Sequence, residues 1–342
     1  MPELIWDGKY DENGKRVAVP KLALPFQTIE IVNEDNAARE RTLSLFSEGR
    51  ETDWRNRLFW GDKKWVLPSL LPEFGGKVDL IYIDPPFDTG ADFSFSAQIP
   101  DDPNTPGDQS QSFVKEPSVL EIKAYRDIWG GATTHLDAYL KWFYETIVVL
   151  YDLLSPTGSI YVHLDYNVGH YAKAALDEVF GADRFINEII WSYDYGARST
   201  KRWSTKHDTI LWYAKDPANY TFRYADIDRI PYMAPGLVGP EKAARGKTPT
   251  DVWWNTIVSP NGKEKTGYPT QKPLAILNRI VRVHSNPGDR TLDFFAGSGS
   301  FGEAAARNDR EFVLIDQNPQ AIAVMERRLA FANPVIYRNT EG

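Results

Sequence analysis

The protein has 342 residues, 42% hydrophobic and 25% charged, with a formal net charge of −8, a pI near 5.3 and no cysteine. This composition excludes a disordered or fibrous chain, and a length beyond the roughly 250–300 residues at which one core stops growing implies a large domain with a smaller lobe. Without cysteine there are no disulfides, thiolate metal ligands or cysteine nucleophile, and the acidic balance argues against coating nucleic acid by bulk charge while leaving room for a local basic groove. No apolar run reaches the roughly 18 residues that span a bilayer. The first residues (MPELIWDGKY) lack a secretion signal's basic start and apolar stretch, so the expected location is the cytoplasm.

Residues 1–56 read as an N-terminal extension, with apolar patches at Ala18–Leu24 and Ile29–Val32 before a charged stretch, Asn36–Arg57, expected to be helical. Leu58–Trp60, ending in Gly61-Asp62, predicts a short strand. Val78–Ile83 (VDLIYI) is a continuous apolar run between turn signals, the pattern of a strand buried on both faces of a parallel sheet. Residues 88–131 look irregular. Leu136, Tyr139, Leu140, Phe143, Ile147, Leu150 and Leu154 then recur at helical spacing until Ser155-Pro156-Thr157-Gly158 stops the helix. Next come a strand at Ser159–Leu164, a helix with Val168, Ala172, Ala175, Leu176 and Val179 on one face and Gly181 as its cap, and strands at Ile186–Trp191 and Thr209–Ala214. Residues 194–272, rich in Pro, Gly, Lys and Arg, read as an insert lobe with an edge strand near 209–214. Order returns with a helix at Leu274–His284, a strand at Thr291–Phe295, a helix from Phe301, a strand at Phe312–Ile315 and a last helix with Asn318 as N-cap and Pro319 at its first position. The alternation predicts an α/β fold, a mostly parallel sheet with helices on both faces.

Two segments carry chemistry. Asp84-Pro85-Pro86-Phe87 follows the buried strand, at the carboxyl end where open α/β sheets bind ligands. The prolines remove two backbone donors, so Asp84 and the Pro85 carbonyl can accept both hydrogens of an amino group, while the Phe87 ring offers a stacking face. An N-capping Asp in a Pro-Pro turn would have the same sequence. The second segment, Leu292–Gly302 (LDFFAGSGSFG), runs from a strand through a glycine turn into a helix. Gly297, Gly299 and Gly302 satisfy a dinucleotide fingerprint, and Asp316 ends the next strand where a carboxylate would hold a ribose diol. Taken alone, this turn serves NAD, a flavin or S-adenosylmethionine equally well.

These motifs, with YPTQKP (Tyr268–Pro273), HLDYNVGHYAKAALDEVFG (His163–Gly181), NEIIWSYDYG (Asn187–Gly196) and KRWSTKHDTILWYAK (Lys201–Lys215), resemble the β-group of amino-group DNA methyltransferases. The likeness is to modification subunits of type III restriction systems and related solitary adenine methyltransferases, from about Arg57 to Leu329. It implies a circularly permuted, Rossmann-like class I methyltransferase fold: a catalytic half at 57–193, a DNA-contacting target-recognition insert at 194–272 and a cofactor half at 273–342. It implies S-adenosylmethionine as cofactor, with Asp293, Phe295, Gly297 and Gly299 along its methionine half, Asp316 on the ribose hydroxyls, Asp62 near the adenine edge, and Thr270 and Lys272 at its carboxylate.

The same resemblance makes double-stranded DNA the substrate. Asp84, Pro85, Pro86 and Phe87, where relatives usually carry tyrosine, would hold the N6 amino group of a flipped adenine for direct in-line transfer. Arg198, Lys201, Arg202, Trp203 and Lys206, a basic run with an aromatic and no acidic residue, would contact the DNA. The nearest alternative is cytosine N4, although Asp rather than Ser at 84 leans toward adenine. A dinucleotide-dependent oxidoreductase would leave DPPF and TQKP without a task. The resemblance extends to a homodimer and a restriction partner subunit, but the short insert suits a solitary enzyme as well. The five histidines show no metal-ligand spacing, so no metal is expected, and His163 with Asp165 is expected to form a structural pair.

Overall fold

The computed structural model describes residues 3–32, 54–86, 95–99, 111–115, 134–194, 198–259, 262–268 and 270–339. Along the chain these form strand β1 (Phe26–Ile31), β2 (Arg57–Trp60), helix α1 (Lys63–Phe74), β3 (Val78–Ile83), β4 (Phe95–Ile99), β5 (Gln111–Lys115), α2 (Thr134–Leu153) and β6 (Leu154–Leu164). Then follow α3 (Gly169–Phe180), β7 (Phe185–Ser192), β8 (His207–Ala214), α4 (Pro240–Arg245), β9 (Val252–Trp254) and α5 (Leu274–His284). The described chain closes with β10 (Arg290–Asp293), α6 (Ser300–Ala306), β11 (Glu311–Asp316), α7 (Pro319–Arg328) and β12 (Val335–Asn339).

Ten strands form one sheet in the order β1-β12-β2-β11-β10-β3-β6-β8-β7-β9, and β4 and β5 pair as a separate antiparallel ribbon. The strands from β12 to β6 are mutually parallel, whereas β1 and β8 run antiparallel to their neighbours. Alternate residues of the central strands enter different cores, as the two-residue period of a strand requires. Leu80 and Tyr82 face a core shared with α5, α6 and α7, while Ile81 and Ile83 face one shared with α1, α2 and α3. Burial on both faces is why β3 reads as an unbroken apolar run.

β10, late in sequence, lies between β11 and the early β3, with Leu292 opposite Ile81. This is the permuted order that the resemblance implies. It brings the glycine turn after β10 and the Asp84 turn after β3 to neighbouring strand ends.

Several expectations are corrected. The strand near 209–214 is not an edge: β8 pairs with both β6 and β7, because Ile210–Ala214 are buried throughout, and β9 forms the edge. The insert therefore contributes two strands to the main sheet. Helix α1 escaped the sequence reading because Pro68 and Pro72 lie inside it, yet Asp62 caps its start and Val66, Leu67, Leu70 and Phe74 bury its inner face. Strands β1 and β12 were missed as well. The ribbon of β4 and β5 stands where irregular chain was expected. Most of the helix expected over Asn36–Arg57 lies outside the described residues, and Arg57 itself opens β2.

Candidate active site

Asp84, Lys272 and Gly297 line a single cleft with Tyr82, Tyr268 and Asp293. Asp84 follows β3 directly, and buried Pro85 stiffens the exit. Its Oδ2 accepts a charge-assisted hydrogen bond from Lys272 Nζ, while Oδ1 is buried without a hydrogen-bond partner among the described residues. A carboxylate is an acceptor only, so this corner retains capacity for an N–H donor. Phe87 lies outside the described residues.

The glycine corner is built from behind. Gly297 and Gly299 have φ of +50° and +73°, left-handed values that glycine adopts without strain. A Cβ at Gly297 would come 3.1 Å from the Tyr268 ring, so the turn leaves the cleft open only where side chains are absent. Asp316 Oδ2 accepts the Gly297 N–H at 2.8 Å, and its Oδ1 accepts the N–H of Asn318 at 2.8 Å. Asp316 thus fixes the turn whose ligand it was expected to hold. Ser298 and Ser300 both accept from the buried Arg328 guanidinium, which also pairs with Glu303. Asp293 accepts the Phe295 N–H at 2.9 Å; burial pushes its carboxyl well above the usual range despite that bond, and the charges of Asp84 and Asp316 add to the rise.

The segment carrying Thr270 and Lys272 is braced by Gln271, whose Oε1 accepts from the N–H and hydroxyl of Thr266 and whose amide donates to the Glu264 carbonyl. Thr270 sits at φ +59°, costly for a β-branched residue and held by this bracing. Its exposed side chain lines the cleft. Lys272, expected at a cofactor carboxylate, pairs with Asp84 in this structure, and with its side chain only 13% exposed it is no solvated surface lysine. Asp62 caps α1 by accepting the Lys64 N–H at 2.8 Å, and its neighbour Gly61 donates its N–H to the Asp316 carbonyl.

Behind Asp84 runs a chain of polar groups that the sequence did not reveal. Tyr82 Oη lies 2.8 Å from His163 Nδ1, His163 Nε2 lies 3.2 Å from Asp208, and the Tyr193 hydroxyl donates to Asp208 at 3.1 Å. Burial disfavours the Asp208 carboxylate, but the bond and charge of His163, with Lys272 and Tyr193, outweigh it and hold the group below its usual range. Asp208 is therefore an acceptor and Nε2 carries a hydrogen. Burial, followed by the charge of Asp84, raises the Tyr82 hydroxyl, which keeps its proton. The expected pairing of His163 with Asp165 does not occur, because Asp165 instead accepts the N–H groups of Asn167 and Val168 ahead of α3. His163 Nδ1 stands 3.9 Å from Asp84 Oδ1.

Arg198, Lys201, Arg202 and Trp203 are exposed on the loop joining β7 to β8, with Lys206 half-buried at its base. They are not part of the cleft but rise from the same end of the sheet. A larger cavity of about 370 Å³ lies between α5 and the insert, walled by rings such as Tyr161, Trp212 and Trp253. It lacks the converging carboxylates and ammonium of the cleft, to which the chemistry is assigned.

Comparison with known proteins bears on this geometry. Residues 78–327 match the family described as DNA methylase. The type II methyltransferase M.HpaI of Haemophilus parainfluenzae is 29% identical over 252 residues, covering 74% of this chain and 68% of that protein. The DNA adenine methyltransferase YhdJ of Escherichia coli K12 is 28% identical over 269 residues, covering 75% of this chain and 77% of that one. Among solved structures, the cytosine-N4-specific PvuII DNA methyltransferase shares the fold with a TM-score of 0.52 at 17% identity, over 85% of this chain and 97% of that one.

Proposed function

The chain belongs to the N6/N4 DNA methylase family, and from that premise we propose that it methylates the N6 amino group of adenine in double-stranded DNA. The observation that carries the reading is the Asp84 corner, a carboxylate with an acceptor left unfilled among the described residues, beside the glycine turn. Adenine rather than cytosine is supported by Asp at position 84 and by the similarity to a protein named as an adenine methyltransferase.

S-adenosylmethionine supplies an electrophilic methyl group on a sulfonium. The residues present suit it: the side-chain-free floor at Gly297 admits a ligand close to the backbone, Asp316 and Asp62, on neighbouring strand ends, are assigned to the ribose and adenine edge, and Lys272 lies within the same cleft for a carboxylate. Asp293, Phe295, Gly299 and Thr270 complete the assigned surface.

An adenine amino group is a weak nucleophile because its lone pair is delocalised into the ring. Hydrogen bonds from its two N–H groups to Asp84 and the Pro85 carbonyl draw the nitrogen toward tetrahedral geometry and aim the lone pair at the methyl carbon. The contribution is positioning and electrostatics, and removing such a preorganised group costs about 100- to 1,000-fold in rate. A base inside a duplex cannot reach this floor, so the target swings out, and Phe87 supplies the stacking face.

The test is incubation with unmodified genomic DNA and isotopically labelled S-adenosylmethionine, followed by nucleoside mass spectrometry. N6-methyladenine that disappears in Asp84→Ala, with cofactor binding retained, is the expected result. N4-methylcytosine would reassign the base, and no methylated nucleoside at all would defeat the reading.

A further inference from the structure

The Trp203 side chain is 97% exposed, the most exposed aromatic ring among the described residues. A single exposed ring is ordinary by itself, but this one stands among cations, a combination that suits contact with nucleic acid. The loop that carries it is braced. Ser204 Oγ accepts the Ser199 N–H at 3.0 Å, Ser199 Oγ accepts the N–H groups of Lys201 and Arg202 at 3.2 Å each, and the Tyr193 N–H bonds the Lys206 carbonyl at the base. Arg198, Lys201 and Arg202 are exposed around the ring, and residues 198–206 contain no carboxylate.

The loop stands at the reacting end of the sheet. Asp208, the second residue of β8, bonds His163, whose other ring nitrogen is 3.9 Å from Asp84. Trp203 stands five positions before Asp208, which at about 3.3 Å each keeps the two within roughly 17 Å. The loop and the Asp84 turn thus leave the sheet at the same end.

We propose that Trp203 is a wedge that enters the DNA stack beside the target and fills the space vacated when the adenine swings out to Asp84. The inference rests on the methyltransferase reading. Unpairing and unstacking a base is costly, and an aromatic ring inserted in its place restores stacking while the flanking cations hold the phosphates on either side. Trp203 touches neither the cofactor cleft nor the core, so replacing it leaves the fold and cofactor binding intact.

The experiment uses the full chain and two duplexes carrying its mapped target site, one with the adenine paired to thymine and one with it facing an abasic position. Trp203→Ala lowers kcat/KM on the paired duplex by roughly 5- to 150-fold, the range for loss of one stacked base, and Trp203→Phe recovers most of it. On the duplex with the abasic position the Ala variant stays close to wild type, because the pairing cost is already absent. With 2-aminopurine at the target position, fluorescence rises with wild type and not with the Ala variant. An equal loss on both duplexes, or none on the paired one, overturns the wedge. A wild-type chain that methylates neither duplex defeats the methyltransferase reading, and the wedge with it.

Discussion

Lys272 donates to the Asp84 carboxylate across 188 positions of sequence, joining the segment that precedes α5 to the turn that follows β3. Both side chains are largely withdrawn from solvent, at 13% and 17% exposed, so removing the ammonium leaves a mostly buried carboxylate without its counter-charge. Lys272→Met is expected to lower methyl transfer by about 10- to 150-fold, the value of a charged hydrogen bond, and to weaken S-adenosylmethionine binding as well. Lys272→Arg should recover part of both. Steady-state kinetics with calorimetric titration check this, and cofactor affinity unchanged in the Met variant would confine Lys272 to the Asp84 corner.

Gly297 in the turn and Gly302 in the helix that follows it should fail in different ways. A Cβ at Gly302 would stand 2.5 Å from Leu314 Cδ1 in the core, so Gly302→Ala overpacks it at about 1–3 kcal/mol and lowers the melting temperature by several degrees. At Gly297, with φ of +50° and the Tyr268 ring 3.1 Å from a Cβ, the substitution presses on the cleft floor. Gly297→Ala should lose cofactor affinity out of proportion to stability. Thermal melts with and without S-adenosylmethionine separate the two.

His284 donates from Nδ1 to the Thr221 carbonyl and is packed among Tyr161, Trp212 and Phe222. Burial lowers it to about 3, against the Thr221 bond that pulls the other way. Below its free-chain value near 6.5, the unfolded chain binds a proton that the folded chain refuses. Its contribution is therefore complete above pH 6.5 and is lost as pH falls toward 3, by up to about 1.4 kcal/mol per pH unit. His284→Phe should flatten the stability profile between pH 6.5 and 4.5 relative to wild type, as measured by denaturant midpoints. Parallel profiles would contradict it.

The basic loop should reveal itself through salt. If Lys201 and Arg202 each neutralise a phosphate, the double variant Lys201→Gln/Arg202→Gln binds DNA with a log–log salt slope shallower by about 2, without a change in the sequence methylated. Fluorescence anisotropy over a salt series, paired with methylation mapping, provides the comparison. An unchanged slope would remove these two residues from the interface.

Local order was legible because it has local causes. VDLIYI identifies β3 because a strand covered on both faces needs an unbroken apolar run, and Asn318-Pro319 opens α7 because few residues suit those positions. The glycine corner and the Asp84 turn were readable for the same reason, since backbone geometry there tolerates few residue types. Proline misled at α1, where burial of the inner face outweighs two interruptions. Contacts between strands were not readable. Asp165 looked like the partner of His163 because it is near in sequence, yet β8 running antiparallel beside β6 places Ile210 opposite His163 and delivers Asp208 to the ring. Lys272 reaches Asp84, and Arg328 reaches Ser298, through the same kind of long-range placement. The chain by itself determined which segments form strands, helices and reactive turns, since those depend on neighbours a few residues away. Only the folded sheet decided which turns meet and which side chains pair, because strand order and register come from packing between distant segments, which periodicity does not encode.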